Sequence, residues 1–164
     1  ARQRPQQANL FQPVGAAAST PLAPATLRSL RLPAEGDWAE LVEAARDLHA
    51  REARRLEASG FEAEPGLVLE VDASGRPTHV QVRLSDPPAP PAAPPDGYEV
   101  RPAGHARVRF LTGPVELGRA LFELGRAEPG GSGAAPWVRI QVTPEGAEQL
   151  VLFVPGFVPG PSRP

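Results

Sequence analysis

Three histidines, His49, His79 and His105, are the side chains best suited to general acid–base chemistry near neutral pH. His49 lies three residues before Glu52, a spacing that places both side chains on one face of a helix. An isolated His-x-x-Glu pair lacks the partner helix that completes a metal site, so we predict no metal centre. The chain has no Gly-x-Ser-x-Gly elbow, and no pattern selects a serine–histidine pair. We therefore assign no catalytic residue and keep a hydrolase as the third hypothesis.

The composition excludes several other kinds of catalytic and metal site. All 17 basic residues are arginine, so there is neither a Schiff-base lysine nor a P-loop lysine. Without cysteine there is no disulfide, no thiolate nucleophile and no cysteine-based zinc site. The glycines at 130–133 precede a predicted strand and not a helix, which is the wrong geometry for cradling phosphate, and we predict no cofactor. Exclusive use of arginine is typical of a GC-rich, bacterial genome.

Charge and hydropathy favour a cytoplasmic protein. The net charge of −2 implies no general attraction to nucleic acid or to a membrane surface. No apolar run approaches the roughly 18 residues of a membrane span, and the first residues lack the apolar region of a signal peptide.

Arginines and histidines recur on one side of the predicted strands. Alternation places on the non-core side Arg83, Arg107, Arg109, Arg139, His79 and His105. If these strands pair, the cluster could bind phosphate or single-stranded nucleic acid, with Trp137 as the good candidate for base stacking. The same faces carry Glu70, Asp72 and Gln81, which is typical of a solvated sheet face. The solvated face is the favoured interpretation, so we keep a nucleic-acid-binding accessory protein as the alternative hypothesis.

The most specific short motif is Gln7-Ala8-Asn9-Leu10-Phe11. It resembles the pentapeptide by which many bacterial replication and repair proteins dock on the DNA sliding clamp, although Ala8 stands where leucine is commoner. The resemblance implies that Gln7, Leu10 and Phe11 form a linear docking motif. A second apolar surface is expected near Phe157 and Val158 in the tail.

The elements that position these side chains follow from hydrophobic periodicity. Residues 106–111 alternate as a strand, and residues 114–126 have a helical stripe of Leu117, Leu121 and Leu124. We predict that Val108 and Phe110 point into the same interior as these leucines.

The rest of the chain contributes one further helix and two hairpins. Asp37 and Glu40 form the pattern of a capping box at the start of a helix over residues 37–59. A short strand is expected at 29–32, and hairpins at 67–84 and 138–154. Six prolines within residues 85–97 indicate a stiff connector.

The predicted fold is α+β: a mostly antiparallel sheet of about five to six strands, with two helices on one face. Residues 1–28 form an extended arm, 29–154 a single domain and 155–164 a Pro/Gly tail. The order strand, helix, hairpin occurs twice, which is compatible with a duplicated β-α-β-β unit. Without the short first strand, the element order is similar to that of small secretion-chaperone-like and sensory-regulator domains, which are binding modules. We therefore expect a non-catalytic protein-binding module, an adaptor or accessory subunit that uses its N-terminal arm for docking.

Overall fold

A computed structural model describes residues 17–88, 92–126 and 135–156. Over these residues the protein has one antiparallel sheet of eight strands and two α-helices, which confirms the α+β class. A 3-10 turn at Pro114–Glu116 precedes the second helix. In chain order the elements are β1 (Ala17–Leu22), β2 (Ala25–Arg31), α1 (Trp38–Ala58), β3 (Leu67–Val71), β4 (Pro77–Arg83), β5 (Glu99–Arg101), β6 (Gly104–Leu111), α2 (Leu117–Arg126), β7 (Trp137–Val142) and β8 (Glu148–Pro155).

The strand order across the sheet is β1-β6-β8-β7-β3-β4-β2-β5. Two halves of the chain each run strand, helix, hairpin: β2-α1-β3-β4 and β6-α2-β7-β8. They meet where β3 pairs with β7, so both halves belong to one continuous sheet. Each edge strand pairs with the half that it does not precede in the chain. Strand β1 comes just before the first half but pairs with β6 of the second, and β5 comes just before the second half but pairs with β2 of the first.

Two short links determine the curvature of the sheet. Residues 23–24 connect β1 to β2, and residues 102–103 connect β5 to β6, although five strands separate the members of each pair. The three Cα–Cα steps across each link span at most about 11 Å. Six strand spacings of a flat sheet would span about 29 Å. The sheet must therefore curl until its edges approach each other, which creates a concave inner face and a convex outer face.

Helix α1 begins at the capping box that the sequence predicts. The Glu40 amide donates to the Asp37 carboxylate, and the Asp37 amide donates to the Glu40 carboxylate, both at 2.9 Å. Two N–H groups of the first turn are thereby satisfied. Leu41, Ala45 and Leu56 then pack against the sheet. Neither helix in the described ranges is long and apolar enough to cross a membrane.

Both helices cover the convex face. The strand residues beneath them alternate along β3, β4, β7 and β8: Leu67, Leu69, Val71, Val80, Val138, Leu150 and Leu152. Leu117, Leu121 and Leu124 of α2 are buried in the same core, which confirms the predicted helical stripe.

Val108 and Phe110 do not join this core, so the prediction of an interior shared with α2 is wrong. Both pair in register with apolar residues of β8 that face the concave side. Leu111 is the β6 residue in the helix-covered core, and Arg109, on the same side, forms an ion pair with Glu123 of α2. Alternation separates the two faces of a strand, but it cannot tell which face the helices cover when the curled sheet encloses a second apolar region.

The predicted count of five to six strands is also wrong, because β1 and β5 escape the sequence patterns. Strand β1 reads Ala-Ala-Ser-Thr-Pro-Leu, has little alternation, and lies within the segment predicted to be an extended arm. Strand β5 has only three residues. Edge strands are often short or contain proline. Their pairing with β6 and β2 depends on backbone hydrogen bonds, which leave little trace in side-chain periodicity.

The turn between β3 and β4 packs tightly against α2 and can be tested at Gly75. Gly75 has φ +92°, and a Cβ added there would lie 2.8 Å from Leu117 Cβ. Gly60 has φ +87° with no atom within 4 Å of the added Cβ, so it is a matched control. Gly60→Ala should cost about 1–2 kcal/mol for its left-handed backbone. Gly75→Ala should lower the free energy of unfolding by about 1–3 kcal/mol more, because the turn and helix must separate. Equal losses in urea denaturation would contradict this packing.

Candidate functional site

The concave face carries polar and aromatic side chains of the central strands. In β7, Trp137 and Arg139 face this side, while the residues that alternate with them pack beneath the helices. Phe153 of β8 is the register partner of Trp137. Arg83, at the end of β4, reaches the same side and lies over the Trp137 ring. We call these four residues the arginine–aromatic cluster.

The two rings of the cluster hold the two guanidinium groups. The Trp137 and Phe153 rings are stacked, with centroids 5.3 Å apart and an interplanar angle of 13°. Arg83 Cζ lies 5.2 Å from the Trp137 centroid, and Arg139 Cζ lies 5.8 Å from the Phe153 centroid. Both distances fall within the roughly 6 Å range of cation–π attraction. The rings therefore stabilise two positive charges on the concave face.

Neither guanidinium group is neutralised by a carboxylate. Within the described residues, no Asp or Glu oxygen lies within 4.0 Å of Arg83 or Arg139. Burial and then the charge of Arg139 lower the pKa of the Arg83 guanidinium, with Arg101 acting in the same direction and Glu64 too weak to reverse it. Arginine still stays protonated at neutral pH. The cluster thus has an excess of positive charge that an anionic group would neutralise.

The Trp137 indole supplies a further unused donor. Trp137 is only 5% exposed, and its Nε1 has no hydrogen-bond partner among the described residues. Buried tryptophan N–H groups normally find an acceptor. The same ring carries the Arg83 guanidinium group over its face.

A buried polar network positions Arg83. Its Nε donates to Gln81 Oε1 at 3.0 Å, and Gln81 Nε2 donates to Glu70 Oε2 at 2.9 Å. Ser29 Oγ donates to the same Glu70 oxygen at 2.6 Å. Because Gln81 is 1% exposed, these bonds determine its orientation. The Arg83 side chain is therefore restrained before a ligand binds, which lowers the entropic cost of recognition.

The arginine–aromatic cluster lines a cavity of about 910 Å³. This volume lies within the range of about 300–1,000 Å³ that is typical of ligand pockets. Its charged lining consists of Arg83, Arg101, Arg139 and a single carboxylate, Glu64. Arg101 is paired with Glu99 at 3.1 Å, so the excess positive charge comes from Arg83 and Arg139. Both strand-joining links, residues 23–24 and 102–103, form part of the wall. The curl of the sheet thus builds the cavity and gives it net positive charge.

The structure brings together part of the predicted arginine-lined face. Arg83, Arg139 and Trp137 meet in the cluster. His79 lies on the same face, where its Nδ1 is 3.6 Å from Glu70 Oε1. This part of the predicted face is therefore not a solvated surface, because the curl of the sheet encloses it.

The remaining members of the predicted face lie elsewhere. Arg107 and Arg109 share the convex side of β6 with Leu111, so these two arginines do not join the cluster. His105, at the start of β6, contributes to the cavity wall. The predicted contacts of the arm and tail, Gln7, Leu10, Phe11, Phe157 and Val158, lie outside the described residues and stay predictions.

Phe153 and Arg101 are two of the cavity residues that sequence reasoning missed. Phe153 could not be placed by counting from the predicted turn, because a turn at residues 143–146 would put Leu152 opposite Trp137. The loop in fact closes between Thr143 and Ala147, which shifts the register by one residue and makes Phe153 the partner of Trp137. Arg101 has no sequence signal either, because it reaches the cavity only through the pairing of β5 with β2.

A second charged cluster is satisfied within the protein. The Glu52 carboxylate, 7% exposed, accepts hydrogen bonds from Arg55 at 2.6 and 3.0 Å, Tyr98 at 2.8 Å and Arg28 at 3.2 Å. Burial raises the pKa of this carboxyl, but the hydrogen bonds and the charges of the arginines outweigh burial and hold it below the usual value. Glu52 therefore ties α1 to β2 and to the segment before β5. These three donors occupy the carboxylate that would pair with His49 in a metal site.

The hydroxyl and imidazole groups near Glu70 do not form a serine–histidine pair. Ser29 donates to Glu70, whereas His79 lies 3.0 Å from the Thr78 hydroxyl and 3.6 Å from Glu70.

Comparisons with protein-family models, curated proteins and solved structures found no match. No family assignment follows, and the function is inferred from the site itself.

The Glu52 cluster makes stability depend on acid pH. A carboxyl whose pKa is depressed by folding stabilises the protein above its unfolded value, 4.5, and this contribution is lost as the pH falls. Glu52→Gln should lower the melting temperature at pH 7 by several degrees and reduce the further loss between pH 5 and pH 3. Glu57→Gln, an exposed change in the same helix, is the control. Parallel melting curves of the wild type and Glu52→Gln across this range would contradict the assignment.

Proposed function

We propose that this protein is a non-catalytic protein-binding module and that its concave cavity binds an acidic segment of the partner. One observation carries the proposal: Arg83 and Arg139 lie on a stacked aromatic pair, inside a cavity of about 910 Å³, without a carboxylate partner among the described residues. Charges held in this way gain from an anionic ligand, because both arginines are half-buried and part of the cost of removing water from them is already met in the fold.

A carboxylate fits the donors of the site. Guanidinium groups bind carboxylates through paired N–H donors, and Arg83 and Arg139 both line the cavity. Much of the remaining wall is apolar, with Leu22, Leu27 and Pro155 among its residues. A polypeptide segment combines carboxylates with apolar side chains, so it matches both parts of the wall.

Single-stranded nucleic acid is the second candidate, favoured by the contact between Arg83 and Trp137. Guanidinium and indole groups are common stacking surfaces for bases. Three arginines in the cavity would neutralise at most about three phosphates, which predicts a salt slope of about −2 for a single strand. A net charge of −2 gives little long-range attraction to nucleic acid, so a peptide ligand is preferred.

The arm supports a second route to protein partners. Gln7, Leu10 and Phe11 form the motif that resembles a clamp-docking peptide, and Phe157 and Val158 offer apolar side chains in the tail. We propose it as a route separate from the cavity.

The cavity is tested by an NMR titration with the capped acidic peptide Glu-Glu-Ser-Gly-Ser-Gly. The chain has two tryptophans, so the Trp137 indole N–H reports on the cavity and that of Trp38 serves as an internal reference. We expect the Trp137 signal to shift in a saturable manner. Arg139→Gln or Arg83→Gln should weaken binding about tenfold, the effect of losing a charge-assisted hydrogen bond. Arg119→Gln, whose side chain is 84% exposed on α2, should have no effect.

The same titration separates the two candidates. A thymidine oligonucleotide that binds more tightly than the peptide, with affinity falling as salt rises, would favour the nucleic-acid function. If Arg83→Gln and Arg139→Gln both leave the affinity for the peptide unchanged, the peptide does not bind at these two arginines.

Deleting residues 1–13 tests the arm. If the arm is a docking motif, this deletion should abolish binding to a purified bacterial sliding clamp and leave the melting temperature unchanged. The double change Leu10→Ala and Phe11→Ala should have the same effect on clamp binding. A fall of several degrees in melting temperature would instead show that the arm stabilises its own domain.

A further inference from the structure

The concave face has a second cavity that continues from the first. It has a volume of about 370 Å³ and shares Thr20, Arg139 and Phe153 with the larger one. Much of its remaining wall is apolar, including Val108, Phe110 and Val151. Together the two cavities form one trough with a basic end and an apolar end.

We propose that this trough selects an extended amphipathic segment of the partner, with acidic residues at Arg83 and Arg139 and apolar residues over Phe110 and Val151. This rests on the proposed function and adds the order of side chains that the partner must present. The apolar end exists because β6 turns Val108 and Phe110 away from the helices, toward the concave face. Phe110 is only half-buried within the described residues, so its ring can bury further apolar area against a ligand.

The geometry sets the length of the segment. Arg83 on β4 and Phe110 on β6 are four strand spacings apart, about 19 Å in a flat sheet and less across the concave face of a curled one. An extended chain advances about 3.3 Å per residue, so a segment of at most about six residues spans the trough. Such a segment crosses β3, β7 and β8 and lies over the Trp137–Phe153 pair on the way.

Charge argues for a separate partner and against the chain's own flanking segments. Residues 1–16 lead into β1 and residues 157–164 follow β8, yet neither segment contains Asp or Glu. They contribute arginines instead, at positions 2, 4 and 163. Residues 1–16 and 157–164 therefore supply no side-chain carboxylate to Arg83 and Arg139, and we assign that carboxylate to a partner of acidic and apolar composition.

The test compares three capped peptides on the full chain by calorimetry and by the Trp137 indole signal. The first is amphipathic, Glu-Glu-Ser-Val-Leu-Val; the second is acidic only, Glu-Glu-Ser-Gly-Ser-Gly; the third is neutral, Gln-Gln-Ser-Val-Leu-Val. The amphipathic peptide should bind about tenfold or more tightly than either of the others. Phe110→Ser should remove most of that gain and leave the affinity for the acidic peptide unchanged. Val115→Ser, at a site 91% exposed in the turn before α2, should leave all three affinities unchanged.

Each outcome decides a different point. Equal affinity for the amphipathic and acidic peptides would contradict binding along the trough but would leave binding of acidic residues at Arg83 and Arg139 in place. If neither of these two peptides binds, the proposed binding of acidic residues at Arg83 and Arg139 is also wrong. If the neutral peptide binds as tightly as the amphipathic one, charge plays no role in recognition. NMR contacts from residues 1–16 to Phe110 in the free protein would show that the chain fills its own trough. The peptide comparison uses the wild-type chain, so it decides the question even if Phe110→Ser fails to fold.

Discussion

The shape of this protein depends on two links of two residues each. Residues 23–24 and 102–103 join strands that lie near opposite edges of an eight-stranded sheet, and a chain that short cannot cross a flat sheet. Curling the sheet brings its edges together and limits the exposure of unpaired backbone groups. It also gives the sheet an inside and an outside. The helices cover the outside, and the inside is left as a cavity that both links help to enclose.

The two halves of the chain contribute unequally to the cavity and are both needed to build it. Arg83 and its supporting residues Gln81 and Glu70 come from the first half, whereas the stacked rings and Arg139 come from the second. The contact between them forms only because β3 and β7 pair at the centre of the sheet. Neither half alone places a guanidinium group over an indole ring at this position, so the site is a property of the joined sheet.

The Glu52 cluster and the arginine–aromatic cluster both contain arginines, but only the first balances their charge with a carboxylate. Glu52 is enclosed by Arg28, Arg55 and Tyr98, so its charge is balanced within the fold and holds α1 to the strands below. Arg83 and Arg139 have aromatic faces and a neutral amide in place of a carboxylate. Cation–π attraction offsets part of the cost of bringing two positive charges together, but it does not neutralise them. The carboxylate of the Glu52 cluster is satisfied within the fold, whereas Arg83 and Arg139 have no carboxylate within 4.0 Å among the described residues.

The sequence by itself determined the elements whose information is local. The capping box at Asp37 and Glu40, the leucine stripe of α2 and the two hairpins depend on residues a few positions apart, and all appear as predicted. Alternation also separated the two faces of β3, β4 and β7 correctly. Only the tertiary structure decided which face the helices cover, because both faces of β6 meet apolar surroundings once the sheet curls. For the same reason Arg107 and Arg109 lie on the opposite side of the sheet from Arg83 and Arg139. Alternation along a strand is local and shows which residues share a side. Which side encloses the cavity depends on how the whole sheet curls.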